Sequence, residues 1–133
     1  PKVYVRDSGI THALIRTGDF NSLLGHPVIG GSWEGFVIEN IMSAAPMGIN
    51  PYFYRSQAGA EIDLILEISP KEKWAIEIKR SSAPVLTKGF HLAAADIGAT
   101  RKFVVYAGQD GFSIGSGTMA VSLVQMMQEV RNI

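Results

Sequence analysis

Asp63, Glu77 and Lys79 are the residues of this sequence best placed to do chemistry. They lie on two short strand-like runs, Glu61-Ile62-Asp63-Leu64-Ile65-Leu66 and Trp74-Ala75-Ile76-Glu77-Ile78-Lys79, joined through a Ser-Pro-Lys-Glu turn. Strand side chains alternate sides, so Asp63 is expected on one face with Ile62, Leu64 and Leu66 on the other. Glu77 and Lys79 separate in the same way from Trp74, Ile76 and Ile78. A hairpin closing around Pro70 then sets Asp63 opposite Glu77, at a Cβ separation of about 5 Å. A slip of one residue would bury the acids where the leucines belong, so the hydrophobic pattern argues for this register.

That spacing suits a shared divalent cation, and the chemistry it points to is metal-assisted phosphodiester hydrolysis. An ion bound by Asp63, Glu77 and the carbonyl of Ile78 would polarise a scissile phosphate and lower the pKa of a bound water. Lys79 would orient that water or stabilise the extra negative charge of the transition state. Oxygen ligands with retained water favour Mg²⁺ or Mn²⁺ over zinc. Glu-x-Lys alone is a weak signal, because alternating charge is what any half-exposed strand shows. It is the added Asp63 at hairpin spacing that makes a site.

A further acid stands out on the helical run from Ser32 to Ala45. At about 100° per residue, Trp33, Val37, Ile38, Ile41 and Met42 fill one side, and Glu34 falls in the middle of that arc. An acid in an apolar stripe has to be paired, protonated or bound to a cation. It is either a first-turn acid favoured by the helix macrodipole or salt-bridged to Arg55, or a third acid directed at the cation between Asp63 and Glu77.

Arg55, Arg80, Lys88, His91, Arg101 and Lys102 are the candidates for a phosphate-facing patch, with Arg55, Arg80 and Lys88 the leading nucleic-acid contacts. His12, His26 and His91 show no metal-ligand spacing. No Gly-x-Ser-x-Gly elbow is present. Pro27-Val28-Ile29-Gly30-Gly31-Ser32 leads into a helix as a phosphate loop does, but lacks the Gly-Lys-Ser/Thr ending.

The elements that must position these residues are legible in outline. Lys2 to Val5 is strand-like, Asp7-Ser8-Gly9 starts a helix into Ile15, and Asp19 to Leu24 is a second short turn or helix. After the Ser32 helix come a strand over Tyr52 to Arg55, a turn at Gln57-Ala58-Gly59 and the two acid-bearing strands. Leu86 to Ile97 returns to helical spacing with Gly98 as its stop, Arg101 to Ala107 is a buried-looking strand, Gly108 to Thr118 a weak hairpin, and Ser122 to Arg131 a terminal helix. This order gives a mixed α/β fold, an antiparallel three-strand meander flanked by a helix on each face. The terminal helix, with Leu123, Met126 and Met127, packs either on its own core or on a neighbour, which leaves a homo-oligomer open.

A chain of 133 residues with an apolar fraction of 47% is one domain with an ample core. Lys plus Arg equals Asp plus Glu at twelve each, so no global field steers it onto nucleic acid and any DNA contact needs a local patch. The absence of cysteine removes disulfides, thiolate zinc sites and cysteine nucleophiles. No apolar run approaches the roughly 18 residues of a membrane span, and no signal sequence opens the chain. The reading is a soluble, cytoplasmic domain, and the start at Pro1 suggests a fragment of a longer protein.

Four stretches together carry a family resemblance: Lys2-Val3-Tyr4-Val5-Arg6-Asp7-Ser8-Gly9-Ile10; Gly31-Ser32-Trp33-Glu34-Gly35-Phe36-Val37; Tyr54-Arg55 with Gly59-Ala60-Glu61-Ile62-Asp63; and Ala75-Ile76-Glu77-Ile78-Lys79. Asp63 followed by Glu77-Ile78-Lys79, behind an acid-bearing helix, resembles the PD-(D/E)XK or restriction-endonuclease-like superfamily. More closely, the chain is similar to a C-terminal domain of unknown function found behind AAA-type ATPase domains in bacteria and archaea. The resemblance implies a restriction-endonuclease-like core with Glu34 as helix acid, Asp63 and Glu77 as metal ligands and Lys79 as catalytic lysine. It also implies a Mg²⁺- or Mn²⁺-dependent nuclease acting on DNA or structured nucleic acid, attached to an N-terminal ATPase domain of the same polypeptide. Some members of the superfamily keep the fold and lose the activity, serving as binding or regulatory modules.

Overall fold

The computed structural model describes residues 2–4, 32–57 and 59–133. The helical readings over Asp7 to Ile15 and Asp19 to Leu24, the Pro27 to Gly31 stretch, His12, His26 and Ala58 lie outside the described residues. A single mixed sheet carries the fold: β1 (Lys2–Tyr4), β2 (Asn50–Ser56), β3 (Glu61–Ser69), β4 (Glu72–Ile78), β5 (Arg101–Val105), β6 (Phe112–Ser113) and β7 (Thr118–Val121). Their spatial order is β1-β2-β3-β4-β5-β7-β6. β1 to β4 form an antiparallel meander, whereas β4–β5 and β5–β7 are parallel and β6 returns antiparallel at the edge.

Among the described residues three helices cover the sheet: α1 (Trp33–Ala44), α2 (Lys88–Ile97) and α3 (Leu123–Arg131). Each starts where a hydroxyl side chain can take an orphan first-turn N–H. Ser32 accepts from Gly35, Thr87 from Phe90 and Ser122 from Gln125, the last completed as a capping box by the Gln125 side chain on the Ser122 N–H. Gly98 ends α2 at φ +71°, a left-handed conformation that costs glycine little. No helix among the described residues is long and apolar enough to cross a membrane.

The two faces of the sheet hold separate cores. Val37, Ile38 and Ile41 of α1, with Met126 and Val130 of α3, pack on Leu64, Leu66, Trp74, Ile76 and Ile78. Phe90, Ala93, Ala94 and Ile97 of α2 pack on Tyr52, Tyr54, Ile65 and Ala75 from the other side. Each fully buried aliphatic side chain in these layers contributes about 1.5–3 kcal/mol relative to exposure. The terminal helix therefore spends Met126 on its own core, and only Val124 of its apolar residues stands well out, 63% exposed.

The β3–β4 register matches the hydrophobic argument, with Leu64 opposite Ile76 and Leu66 opposite Trp74. One face assignment differs. Tyr52 faces Ile65 but Tyr54 faces Ile62, so the single residue Phe53 spans both Asp63 and Leu64. This bulge breaks the period-2 alternation and turns Ile62 onto the α2 face with Ile65, away from Leu64 and Leu66. Bulges re-aim side chains, and the residue re-aimed here is Ile62, the neighbour of Asp63.

Candidate functional site

The acids meet at one rim of the sheet, where β4 ends and β3 begins. On β4 the N–H of Lys79 continues the parallel ladder to Val105 O at 2.8 Å, which leaves the neighbouring Ile78 N–H directed toward β3. There the Asp63 side chain replaces a ladder carbonyl: its Oδ2 accepts from Ile78 N at 2.8 Å. Helix α1 is fastened to the same rim by Trp33, whose indole Nε1 donates to Lys79 O at 3.0 Å. That contact brings Glu34, the next residue, over the acid-bearing strands.

Glu77 is the buried member, 8% exposed. Lys79 Nζ lies 3.4 Å from its Oε2, while its Oε1 is buried and receives no hydrogen bond from any described residue. The Asp63 carboxyl is within reach, but two carboxylates have no proton between them to donate. Oε1 is therefore open to protonation of one of the pair, to a water or to a cation.

The electrostatics agree. Burial, then the charge of Asp63, push the Glu77 carboxyl up to about 8 against the partial relief from Lys79. Burial also raises Asp63, opposed by the Ile78 N–H. Glu34 is exposed as a residue, yet its carboxyl is pushed up to about 7, by burial at its tip first and by Asp63 and Glu61 next. All three acids resist ionisation together, which is the signature of a site short of positive charge.

The structure brings Glu34, Asp63, Glu77 and Lys79 to one rim, but Glu34 does not sit inside an apolar stripe. Gly35, Val37, Ile38 and Ile41 are the buried residues of α1; in its first turn the helix has reached the edge of the sheet, so Glu34 looks over the strand ends. Nor is Arg55 its partner, since Arg55 pairs with Glu61 at 3.3 Å, both well exposed. Among the described residues no three acidic, histidine or cysteine side chains converge closely enough to make a ligand set. What the rim offers a hard cation is two carboxylates and the strand-end backbone, a donor set that suits Mg²⁺ or Mn²⁺ completed by water and phosphate oxygens.

Of the basic residues, Arg80 follows Lys79 and is exposed, and Lys88 opens α2, whose neighbouring Gly89 packs against Ala60 just before β3. Both belong to the acid rim. Arg101 and Lys102 do not: the parallel pairing sets Arg101 beside Trp74 and Lys102 beside Ala75, at the opposite end of the sheet. Arg101 is committed there to Glu129 at 2.9 Å and to the rings of Trp74 and Phe103. His91 lies one turn along α2 from Lys88, and burial followed by the charge of Lys102 lowers its pKa. Sequence reasoning missed Trp33 as the residue that anchors α1 to the rim; its only signal was an indole N–H beside a helix cap, which calls for a partner when covered.

The model of a domain of unknown function, DUF4143, matches residues 29–126. The chain belongs to this family. It is 38% identical over 128 residues to the uncharacterized protein Rv2008c of Mycobacterium tuberculosis, and equally to the uncharacterized protein Mb2031c of Mycobacterium bovis. Each alignment covers 96% of this chain but 28% of the relative, so the chain spans less than a third of the proteins it matches. No solved structure matches significantly. The matched span includes Glu34, Asp63, Glu77 and Lys79 and omits β1 and the end of α3.

Proposed function

We propose that this domain is a metal-dependent phosphodiester hydrolase of restriction-endonuclease-like architecture, cutting DNA or another nucleic acid. The observation that carries the reading is the buried, unsatisfied Glu77 Oε1 beside the Asp63 carboxyl. A group in that state calls for a proton, a water or a cation, and an oxygen-only donor set next to Lys79 favours Mg²⁺ or Mn²⁺ where a cation is bound. Once bound, the ion supplies polarisation of the phosphate and an acidified water. Asp63, fixed by the Ile78 N–H, and Glu77 hold it; Lys79 stands beside them to orient the attacking water or to balance the growing negative charge. Glu34 completes the acidic rim from the helix side, and Arg80 and Lys88 are the exposed cations from which a strand's phosphates take their position.

The assignment of the longer polypeptide as an AAA-family ATPase carrying this domain at its C-terminus belongs to the same proposal, as do a cytoplasmic location and any self-association. A second reading draws on one specific contact. Lys79 Nζ, 3.4 Å from Glu77 Oε2, already offsets part of the acidic charge, and a fold that had lost catalysis would keep such a pair as a charge network in a nucleic-acid-binding or regulatory module.

A nicking assay decides between them. Purified protein should nick supercoiled DNA with Mg²⁺ or Mn²⁺ and not with chelator, and Asp63→Ala and Lys79→Ala should each abolish nicking while the circular dichroism spectrum stays native. Cleavage that survives both substitutions would sink the hydrolytic reading.

A further inference from the structure

Beyond the acids, the same rim carries a cleft of about 480 Å³ that the proposed chemistry does not use. It is lined by Trp33, Tyr106, Gln109, Ser122, Gln125 and Gln128 among others, and none of the lining residues is charged. Its walls are the segments that leave the parallel strands: the one after β5 supplies Tyr106 to Gln109, and Ser122 leads from β7 into α3. Clefts outside the carboxyl ends of parallel strands are where open α/β sheets hold ligands, and the volume falls within the ~300–1,000 Å³ of small-molecule sites. One wall of it is fixed by packing. Tyr106 is buried, its hydroxyl donates to Asp110 O at 2.6 Å, and a Cβ on Gly108 would come within 2.2 Å of its ring, so the loop closes over the tyrosine only because position 108 is glycine.

Trp33 joins the cleft to the acids. It lines the cleft while its Nε1 donates to Lys79 O, and Phe36 stacks on it at 6.0 Å and 27° with half of its own surface exposed. Gln125 is occupied by its capping box, but Gln109 and Gln128 are exposed. An aromatic ring with neutral amides and no charge suits a planar, uncharged, hydrogen-bonding group, and carboxamides match base edges.

We propose that this cleft receives a nucleobase of the strand whose phosphate lies at Asp63 and Glu77, with Trp33 as the stacking surface and Gln109 and Gln128 reading its edge. The ligand's identity as part of a nucleic-acid strand rests on the hydrolytic reading; the cleft's preference for a neutral planar ring does not. A substrate with a free, unstacked base then outcompetes one whose bases are all held in a duplex.

The test uses Trp33 as its own reporter, because Trp74, the second tryptophan of the chain, is 4% exposed in the core. Adenosine should quench the emission saturably without any metal, ribose 5-phosphate should not, and Gln109→Ala/Gln128→Ala should weaken adenosine binding at least threefold while melting as the parent does. In Mn²⁺, a single strand carrying an abasic site at the cut should be cleaved at least tenfold more slowly than the intact strand. No quenching by adenosine, with intact and abasic strands cleaved alike, overturns the cleft and leaves the hydrolase standing. Saturable quenching without cleavage of any strand upholds the cleft and removes the hydrolase.

Discussion

The Asp63 carboxylate receives the Ile78 backbone N–H at 2.8 Å, occupying the place in the β3–β4 ladder where a main-chain carbonyl would stand. Two consequences come from that one bond. The carboxyl is held at the strand end with little freedom, and it is held beside Glu77, whose inner oxygen has no donor. A β-bulge opposite Phe53 makes the substitution geometrically available.

If the bond is structural as well as positioning, the two alternatives at residue 63 diverge. Asp63→Asn keeps an oxygen for the Ile78 N–H and removes a charge from a crowded site, so it should be at least as stable as the parent at about pH 8 by urea denaturation. Asp63→Ala leaves a partly buried N–H without an acceptor and should fall below Asp63→Asn by about 1–2 kcal/mol. Equal stability of the two variants would mean that water satisfies Ile78 and that the bond does not hold the strand end.

Stability should also fall as the solution becomes more alkaline. Glu77 titrates at about 8 in the folded chain against an ordinary 4.5, and Glu34 at about 7, with Asp63 raised as well. The folded state thus binds more protons than the unfolded one across this window. Their stabilising contribution is complete below about pH 4.5 and disappears as the pH passes about 8. The melting temperature of metal-free protein should therefore decline between about pH 5 and pH 8, and Glu77→Gln should flatten most of that decline. A profile that rises over the same interval would show that the acids ionise freely and are not crowded.

The terminal helix supplies a test of the fold that is independent of the site. Met126 is fully buried under α1 and the sheet, whereas Val124 is 63% exposed. Met126→Ala should cost about 2–5 kcal/mol in chemical denaturation, and Val124→Ala should change stability by no more than about 0.5 kcal/mol. The reverse order would place the apolar side of α3 against a neighbouring molecule.

Much of the fold is legible in residue types. Ser32 as a cap, the terminal helix from Ser122, Gly98 as a stop and the turn at Pro70 follow from local chemistry that the tertiary structure has no reason to overrule. The register that sets Leu64 opposite Ile76 and Leu66 opposite Trp74 follows from the apolar side chains that have to share a face. Ile62 is not legible, because a bulge inserts its extra residue without a local marker such as glycine. A helical wheel puts Glu34 on the correct helix but in the wrong surroundings: angular position says nothing about where along its axis the helix leaves the sheet. Arg101 and Lys102 look like members of a phosphate patch because a strand's polarity is invisible until its neighbour is known; the parallel β4–α2–β5 crossover carries them to the far end. The Trp33 cleft is assembled from three segments far apart in the chain, and no spacing could have announced it.

The central claim is that Asp63 and Glu77 grip a common cation, and calorimetric titration with Mn²⁺ reads this without reference to any substrate. The parent chain should show one saturable site in the micromolar to millimolar range, and Asp63→Ala should show none while keeping its fold. Absence of heat at millimolar Mn²⁺ in the parent, or an isotherm unchanged by Asp63→Ala, would contradict it.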